Sequence, residues 1–531
     1  MPATKPVLIG LILGAAAGCT VGPTYHPPAP NVPAQYSGAA PAGQSLERWW
    51  TVFGDPELQA LVERGLRNNR DLQTALSRVR VAREQRTIAA ASLIPNLDAT
   101  SGYNRSLGSS NVILPLSSLA GSSSGSSGSG GSTSKSSAAT GRAVSPELAS
   151  GSDGGGTGSS PAGRGGTGAG QPGGPASPFG EGGLPGVTTN LYQAGFDAVW
   201  EIDVFGGTRR QIEAATAEAG AAEEAARAAR VSLVAEIAEN YFQMRAAQLR
   251  VLIARRNFTS QQSTLQIADD KFRSGLGDEA NVARLTAQLR TTQAGIPALQ
   301  TQEATSRHQI EYLVGEFPDV LRSELESPLE LQPLPPTLPA GVPSDLLRRR
   351  PDIRQAEREL AAATAEIGVA TAQLFPQFSL TGSAGLDSST LKNLPDWSSR
   401  YYSIAPGIRW PILEWGRLHA QVRVENEQQQ QSLLAYQNAV ALALKDVEDA
   451  LVRYRAEMER HAALASAVEQ SQRAEVLESQ TYASGLSDEL ATLDADRTVY
   501  QSQDALAQSD VALRTDLVSL YKALGGGWEI N

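Results

Sequence analysis

The chain of 531 residues carries a formal net charge of −11, and only 6% of its residues are aromatic. This aromatic content is low for several compact cores and favours extended helices, while the acidic balance offers no basic face for nucleic acid. One cysteine and four scattered histidines exclude a disulfide framework and leave no plausible zinc cluster. We therefore predict no metal site and no nucleic-acid partner.

The amino terminus has the pattern of a targeting segment. Lys5 is followed by the apolar run VLIGLILGAAAG, which is too short to cross a bilayer as a helix but suits the core of a signal peptide. The small residues before Cys19 resemble a bacterial lipobox, although Ala16 replaces the usual leucine. We predict a signal peptide over 1–18 and an acylated Cys19, and Thr20 implies sorting to the outer membrane. The alternative is an ordinary signal peptide with an incidental cysteine.

Two parts of the chain repeat one layout. Asp71 and Pro95 match Asp352 and Pro376 at one constant spacing. Farther along, VWEIDVFGGTRRQ matches RWPILEWGRLHAQ, and the first glycine of KFRSGLGDE matches that of TYASGLSDE, at a second, shorter spacing. Such self-similarity indicates an internal two-fold repeat. The change of spacing means that the first repeat carries an insert between Pro95 and Trp200.

The insert is rich in Gly and Ser and forms a predicted loop over about 104–188. It cannot bury enough apolar surface to become ordered, so we expect a mobile loop. It contains GSSSG and GRGGTG, which match a nucleophile elbow and a dinucleotide-binding loop. Both motifs need a strand before them and a helix after them, and neither has one. We therefore reject a catalytic role for the insert.

Each repeat is predicted to contain a helix, a strand, a loop, a strand, a long helix, a turn and a second helix. The strand candidates are short and alternating or aromatic, and they cover 94–103, 191–205, 375–386 and 401–413. The long helices cover 207–273, which would extend for roughly 100 Å, and 417–482. The predicted division is an N-terminal Pro-rich segment (19–57), a first repeat (58–316), a Pro-rich linker (317–343), a second repeat (344–525) and a tail (526–531).

Four strands per chain restrict how the protein can cross a membrane. Their lengths, about ten to fifteen residues, suit tilted strands in an outer membrane. Four strands cannot close a barrel, and an open edge in lipid leaves backbone groups unpaired. Two copies would give eight strands and a lumen filled by side chains, whereas three give twelve and a water-filled passage. We predict three copies; the alternative, a solvated dimeric coiled coil, does not explain the strands.

Several motifs, in order along the chain, resemble the TolC-type outer membrane factors, in the lipoprotein branch of OprM and NodT-like proteins. They are CTVGPTYHPP, WWTVFGDPEL, VPSDLLRRRPDIRQAERELAAA, FPQFSLTGSAG and LDADR. The resemblance implies a mixed α and β fold, mostly of long α-helices that form a trimeric helical barrel. Four transmembrane β-strands per chain would contribute to a shared twelve-stranded β-barrel, and the terminal regions and Pro-rich linker to an equatorial belt. The insert departs from the short first loop of the family.

The resemblance also implies roles for the far ends of the long helices. Gly275 and Gly485 would let the chain reverse there, and both turns would dock the coiled-coil hairpins of a periplasmic adaptor (a membrane fusion protein). The docking residues are Ser274, Gly275, Leu276, Gly277, Asp278, Ser484, Gly485, Leu486, Ser487 and Asp488. The family motif places Asp494, with Arg497, at a pore constriction near the axis of the trimer.

Asp494 also admits a simpler interpretation. Arg497 lies three residues later on the same helical face, so the two side chains could form a surface ion pair that contributes a few tenths of a kcal/mol. A ring of three carboxylates in a narrow pore would instead favour cations and oppose tight closure. The position equivalent to Asp494 in the first repeat is Arg284, and Asn281 stands where relatives can carry a further acid. The two repeats are therefore not chemically equivalent at this level.

The function predicted from these features is a passive exit duct without catalysis or cofactor. It would be the outer membrane channel of a tripartite efflux system in a Gram-negative bacterium, anchored by lipid, spanning the membrane and extending into the periplasm. An adaptor would connect the homotrimer to an inner-membrane transporter of the resistance-nodulation-division (RND) type, and outer membrane lipids would surround the strands. The alternatives are a TolC-like duct for type I protein secretion and a periplasmic structural coiled-coil or adaptor lipoprotein.

Overall fold

The computed structural model describes residues 20–28, 47–108, 187–326, 334, 349–484, 486–487 and 489–527. Cys19 and most of the Gly/Ser-rich insert lie outside these ranges. The described residues fall into two compact units. One is drawn from 1–96, 199–381 and 405–531, and the other from 97–198 and 382–404.

The first unit consists mainly of helices. A 3₁₀ turn at Trp49–Phe53 precedes them. In chain order they are α1 (Pro56–Asn68), α2 (Arg70–Ala91), α3 (Gly207–Arg273), α4 (Glu279–Val314), α5 (Arg322–Leu325), α6 (Pro351–Ala372), α7 (Trp415–Ala483) and α8 (Glu489–Ala523). Over the ranges given above, none of these helices combines the length and the apolar character needed to cross a membrane.

Local sequence signals account for the helix boundaries. At the start of α1, Asp55 Oδ1 accepts hydrogen bonds from the N–H groups of Glu57 and Leu58 at 2.9 and 3.1 Å. Prolines occupy the first positions of α1 and α6, where a helix leaves the N–H unpaired in any case. The longest helices, α3 with 67 residues and α7 with 69, contain no proline that would interrupt their hydrogen bonding.

The buried core joins α1, α3 and α8. Trp49 and Trp50 are fully buried, and the Trp49 ring stacks on Tyr521 with centroids 5.1 Å apart. Tyr241 donates its phenol hydrogen to Asp55 Oδ2 at 2.6 Å, so one carboxylate both caps α1 and binds α3. Burial and this hydrogen bond raise the pKa of the Tyr241 phenol. Each large side chain buried here stabilises the fold by about 1.5–3 kcal/mol.

The four strands form one sheet in the order β1-β2-β3-β4. They are β1 (Asn96–Leu107), β2 (Thr188–Ile202), β3 (Gln377–Ser388) and β4 (Arg400–Arg409). The β1–β2 pair is antiparallel, because Thr100 donates to Asp197 at 3.0 Å while Ser106, farther along β1, contacts Thr189, earlier in β2, at 2.8 Å. β1 and β4 are the outer strands of this sheet.

Two observed strand ends differ from the predicted ones, and in both cases a proline marks the observed end. The strand expected over 401–413 ends at Arg409, because Pro411 has no N–H to give to a ladder and a 3₁₀ turn, Ile412–Glu414, follows it. The strand expected from 94 begins at Asn96, directly after Pro95. Proline positions are therefore more reliable markers of these strand ends than the apolar pattern alone.

Matched hydrogen bonds show the internal repeat in three dimensions. Trp200 Nε1 donates to the carbonyl of Leu93 at 3.0 Å, and Trp410 Nε1 donates to the carbonyl of Leu374 at 3.1 Å. The two pairs occupy equivalent positions in the two repeats. The long helix pairs also match, with 67 and 36 residues in α3 and α4 and 69 and 35 in α7 and α8.

Candidate functional site

The turn between α3 and α4 is closed by backbone hydrogen bonds. The N–H groups of Gly275 and Leu276 donate to the carbonyls of Phe272 and Lys271, each at 2.9 Å. Gly275 has a φ of +75°, a left-handed conformation that glycine adopts without steric penalty. Gly277 is needed for a different reason, because a Cβ there would lie 2.8 Å from the backbone nitrogen of Phe272.

The turn between α7 and α8 repeats this pattern. Ser484 N–H donates to the carbonyl of Gln480 at 3.1 Å, and Leu486 N–H donates to that of Thr481 at 3.0 Å. The first turn has the same two bonds one repeat earlier, at 3.1 and 2.9 Å. Two members of the predicted docking set, Gly485 and Asp488, lie outside the residues that the structure describes.

Each turn presents one leucine to solvent. Leu276 is 83% exposed and Leu486 is 82% exposed. Neighbouring polar side chains are occupied within the turns: Asp278 Oδ1 accepts the N–H of Ala280 at 3.2 Å, and Ser487 donates to Glu478. Each turn therefore offers a small apolar surface that a partner protein can cover.

A contact between the ends of α3 and α7 joins the two turns. Lys271 Nζ donates a hydrogen bond to the Tyr482 hydroxyl and lies 4.6 Å from the centroid of the Tyr482 ring. A hydrogen bond in which one partner is charged contributes about 1.5–3 kcal/mol. Sequence reasoning missed this pair. The sequence features that could have predicted it are a lysine shortly before one turn and an aromatic residue shortly before the other.

Asp494 and Arg497 form an ion pair on α8. Arg497 Nη2 donates to Asp494 Oδ1 at 2.5 Å, and both side chains are exposed. Arg284, the equivalent of Asp494 in the first repeat, lines a pocket together with Asp494 and Arg497. The single chain thus contains the ion pair, while the role of these residues at a pore constriction stays a prediction because it depends on further copies.

Two carboxylates beside this pair lie in surroundings that disfavour charge. Burial raises the pKa of Asp496, against the effect of a hydrogen bond that Ser260 donates at 3.3 Å. Burial, and then the nearby charge of Asp496, raise the pKa of Glu475. These groups come from α3, α7 and α8, so their protonation bears on the packing of three helices. In the part of the chain that is described, His, Cys, Asp and Glu form no group of three suited to a metal ion.

The residues that follow Cys19 lie against the start of α3. Val21 N–H donates to the carbonyl of Phe205 at 3.1 Å, and Arg210 Nε donates to the carbonyl of Val21 at 3.1 Å. Thr20 contacts the same junction, so closely that a Cβ on Gly206 would lie 2.8 Å from the Thr20 Cα. Cys19 itself is outside the described ranges. Its neighbour Thr20 is fixed where β2 passes into α3.

Comparisons with known proteins cover both repeats. The outer membrane efflux protein family matches residues 146–316 and 342–526. Outer membrane protein OprJ of Pseudomonas aeruginosa is 29% identical over 528 residues, 98% of this chain and 95% of that protein. Nodulation protein T of Rhizobium leguminosarum bv. viciae is 30% identical over 517 residues, with 96% and 91% covered. A solved structure of the outer-membrane channel OprN is 32% identical and superimposes with a TM-score of 0.77, covering 96% of this chain and 100% of that one.

These similarities confirm the predicted resemblance and the fold class, in which long α-helices and four β-strands are arranged in an internal two-fold repeat. They also confirm the predicted location in the outer membrane of a Gram-negative bacterium and the predicted function as an efflux channel. The proteins of this family are channels, and both repeats of this chain match it. The chain belongs to the outer membrane efflux protein family.

Proposed function

We propose that three copies of the chain form a passive exit duct, which a periplasmic adaptor connects to an inner-membrane transporter of the RND type. The transporter supplies the energy, and the duct neither binds a cofactor nor catalyses a reaction. The single observation that carries this proposal is the doubled set of two strands and a long helix pair in each chain. Three copies bring twelve strands, enough to close a barrel around a water-filled lumen.

The outer strands support an assembly of this kind. β1 and β4 each have a neighbour on one side only in the sheet of one chain. An unpaired strand edge in lipid leaves N–H and C=O groups without partners, at several kcal/mol each. Pairing β4 of one copy with β1 of the next removes both edges and closes the ring.

The two turns are the proposed docking surface for the adaptor. The surface comprises Ser274, Gly275, Leu276, Gly277 and Asp278 of one turn and 484–488 of the other. Its support is the shared hydrogen-bond pattern of the two turns and the exposed leucine on each. A trimer would present six such turns, and matched backbone geometry lets one kind of adaptor hairpin fit every turn.

Asp494 and Arg497 are the proposed constriction. An ion pair as exposed as theirs contributes only a few tenths of a kcal/mol. Breaking it therefore adds little to the free energy needed to widen the pore. The contact between Lys271 and Tyr482 ties the ends of two long helices together, so it opposes their separation.

Cys19 is the proposed lipid anchor. Its neighbour Thr20 is held at the junction of β2 and α3, at the end of a strand that the proposal places in the membrane. An acyl chain at this point would reach the bilayer directly. A single chain anchors a protein only marginally, so the membrane strands would supply the second contact.

Planar-bilayer recordings of the purified protein test the duct and the constriction separately. We expect trimer-sized particles with a cation-preferring conductance that rises in an Asp494→Ala variant. Asp449→Ala serves as the matched control, because it removes another exposed ion pair, to Lys445, outside the constriction. Trimers without conductance would contradict the duct. A conductance that Asp494→Ala leaves unchanged would contradict the constriction alone.

A further inference from the structure

In each repeat the second strand passes into the long helix, from β2 to α3 in the first and from β4 to α7 in the second. The two repeats differ in the side chains that pack against this junction. In the first repeat, the Phe205 ring stacks on Phe375, with centroids 4.6 Å apart and planes inclined by 22°. In the second repeat, the equivalent residue is Trp415, which is 53% exposed and makes its ring contact with His419 of its own helix. Leu413, just before it, is fully exposed. An apolar junction that is packed in one repeat is thus open in the other.

The internal repeat identifies the counterpart of Phe375. The segments ASLIPNL and AQLFPQF align so that Ile94 stands in the position of Phe375. Ile94 is 66% exposed. The alignment holds in three dimensions, because the tryptophan hydrogen bonds to Leu93 and Leu374 are equivalent in the two repeats. The contact of Phe205 with Phe375 therefore has a counterpart between Trp415 and Ile94.

One chain cannot make this second contact. Ile94 directly precedes β1 and Trp415 follows β4, and these strands lie at opposite edges of the sheet. We propose that Trp415 packs on Ile94 of a neighbouring copy, reproducing between chains the contact that Phe205 and Phe375 make within one. The inference rests on the proposed trimer and specifies the residues that meet. We call this contact, with Leu413 on one side and Ile88 on the other, the apolar seam.

The exposed side chains of the apolar seam are suited to a second copy. Ile88 is exposed on α2, at the position equivalent to Val369, which in the same chain lines a pocket with Gln211 of α3. The seam therefore continues from the junction along α2 of one copy and α7 of the next. Covering a large apolar side chain contributes about 1.5–3 kcal/mol, so each seam favours association of the copies.

The N-terminal segment (20–28) covers only the junction within the chain. Gly22, with a φ of +89°, passes so close to α6 that a Cβ on it would lie 2.5 Å from the Gly368 Cα. The position equivalent to Gly368 in α2 is Thr87, whose larger side chain would occupy the space that Gly368 leaves for Gly22. A second copy of the segment cannot approach there in the same way. The seam then supplies the apolar contact at the junction between copies.

Cysteine cross-linking of the full-length trimer in detergent tests the seam. The variant Ile94→Cys/Trp415→Cys is treated with a short bis-maleimide and run on a denaturing gel. We expect bands of two and three chains, and a single-chain band for either single variant. Phe205→Cys/Phe375→Cys is the matched control, because its cross-link forms within one chain: its thiols are consumed, yet its mass stays that of one chain.

The outcomes separate this inference from the proposed assembly. A double variant that light scattering shows to be trimeric, but that stays at single-chain mass after treatment, overturns the seam and places Trp415 against lipid or water. Absence of trimers in the unmodified protein would contradict the proposed duct itself. If the cysteine variant fails to fold, Ile94→Glu provides a second test. We expect its trimer to dissociate at a lower temperature than that of Leu391→Glu, which alters an equally exposed leucine in the β3–β4 connection.

Discussion

Replacing the exposed leucines of the two turns by serine separates docking from folding. Leu276 and Leu486 are 83% and 82% exposed, so neither loses appreciable packing when it is truncated. We expect the free energy of unfolding to change by less than about 0.5 kcal/mol. Burial of a leucine by a partner contributes about 1.5–3 kcal/mol. Because these two side chains are almost fully exposed in the chain, a partner could gain nearly all of this free energy by covering them. Each substitution should therefore weaken adaptor binding by about tenfold to a hundredfold.

Cross-linking of the unmodified protein in cells first identifies its adaptor. The assay is then a binding titration with that adaptor. The purified adaptor is titrated against detergent-solubilised trimers carrying Leu276→Ser, Leu486→Ser or both, and melting temperatures are measured in parallel. Leu391→Ser is the control, because it removes another exposed leucine, which lies outside both turns. An unchanged affinity of the double variant, at an unchanged melting temperature, would refute the assignment of the turns as the docking surface.

Three further predictions concern the ends of the long helices. Lys271→Met removes the contact with Tyr482 at similar side-chain length, so we expect a higher mean conductance in planar bilayers. Burial raises the folded-state pKa of Asp496, so its contribution to stability is present below the ordinary carboxyl pKa of about 4 and is lost as pH rises through the raised value. Asp496→Asn should accordingly raise the melting temperature at pH 7 but not at pH 4, as scanning fluorimetry would show. Gly277→Ala brings a Cβ to 2.8 Å from the nitrogen of Phe272, so we expect faster amide exchange in the first turn, measured by mass spectrometry.

The regular elements of the fold could be predicted because their signals are local. The helix expected over 207–273 has those bounds in the structure, since it contains no proline and a left-handed glycine, Gly206, precedes it. The strand expected to reach 413 was wrong at its end, where Pro411 stops the ladder. Local backbone chemistry therefore decides these boundaries, and apolar periodicity alone does not.

The contacts around the candidate site could not be predicted because they join residues that are distant in sequence. Lys271 meets Tyr482 only after both long helices have formed and packed. Asp496 belongs to the recognised LDADR motif, but its burial beside Ser260 depends on how α8 lies against α3. Spacing along one helix places Asp494 and Arg497 together, which is why that pair alone could be anticipated.

The proposed constriction contains arginines as well as carboxylates. Arg497 pairs with Asp494 at 2.5 Å, and Arg284 and Asp496 line the same pocket. Three copies would therefore bring equal numbers of arginines and aspartates to this level, and a closed pore would avoid the repulsion that three bare carboxylates would cause. In the proposed pore, opening the weak pair would free the Asp494 carboxylate to face the lumen, where it would favour cations. The same ion pair would thus link widening of the pore to its preference for cations.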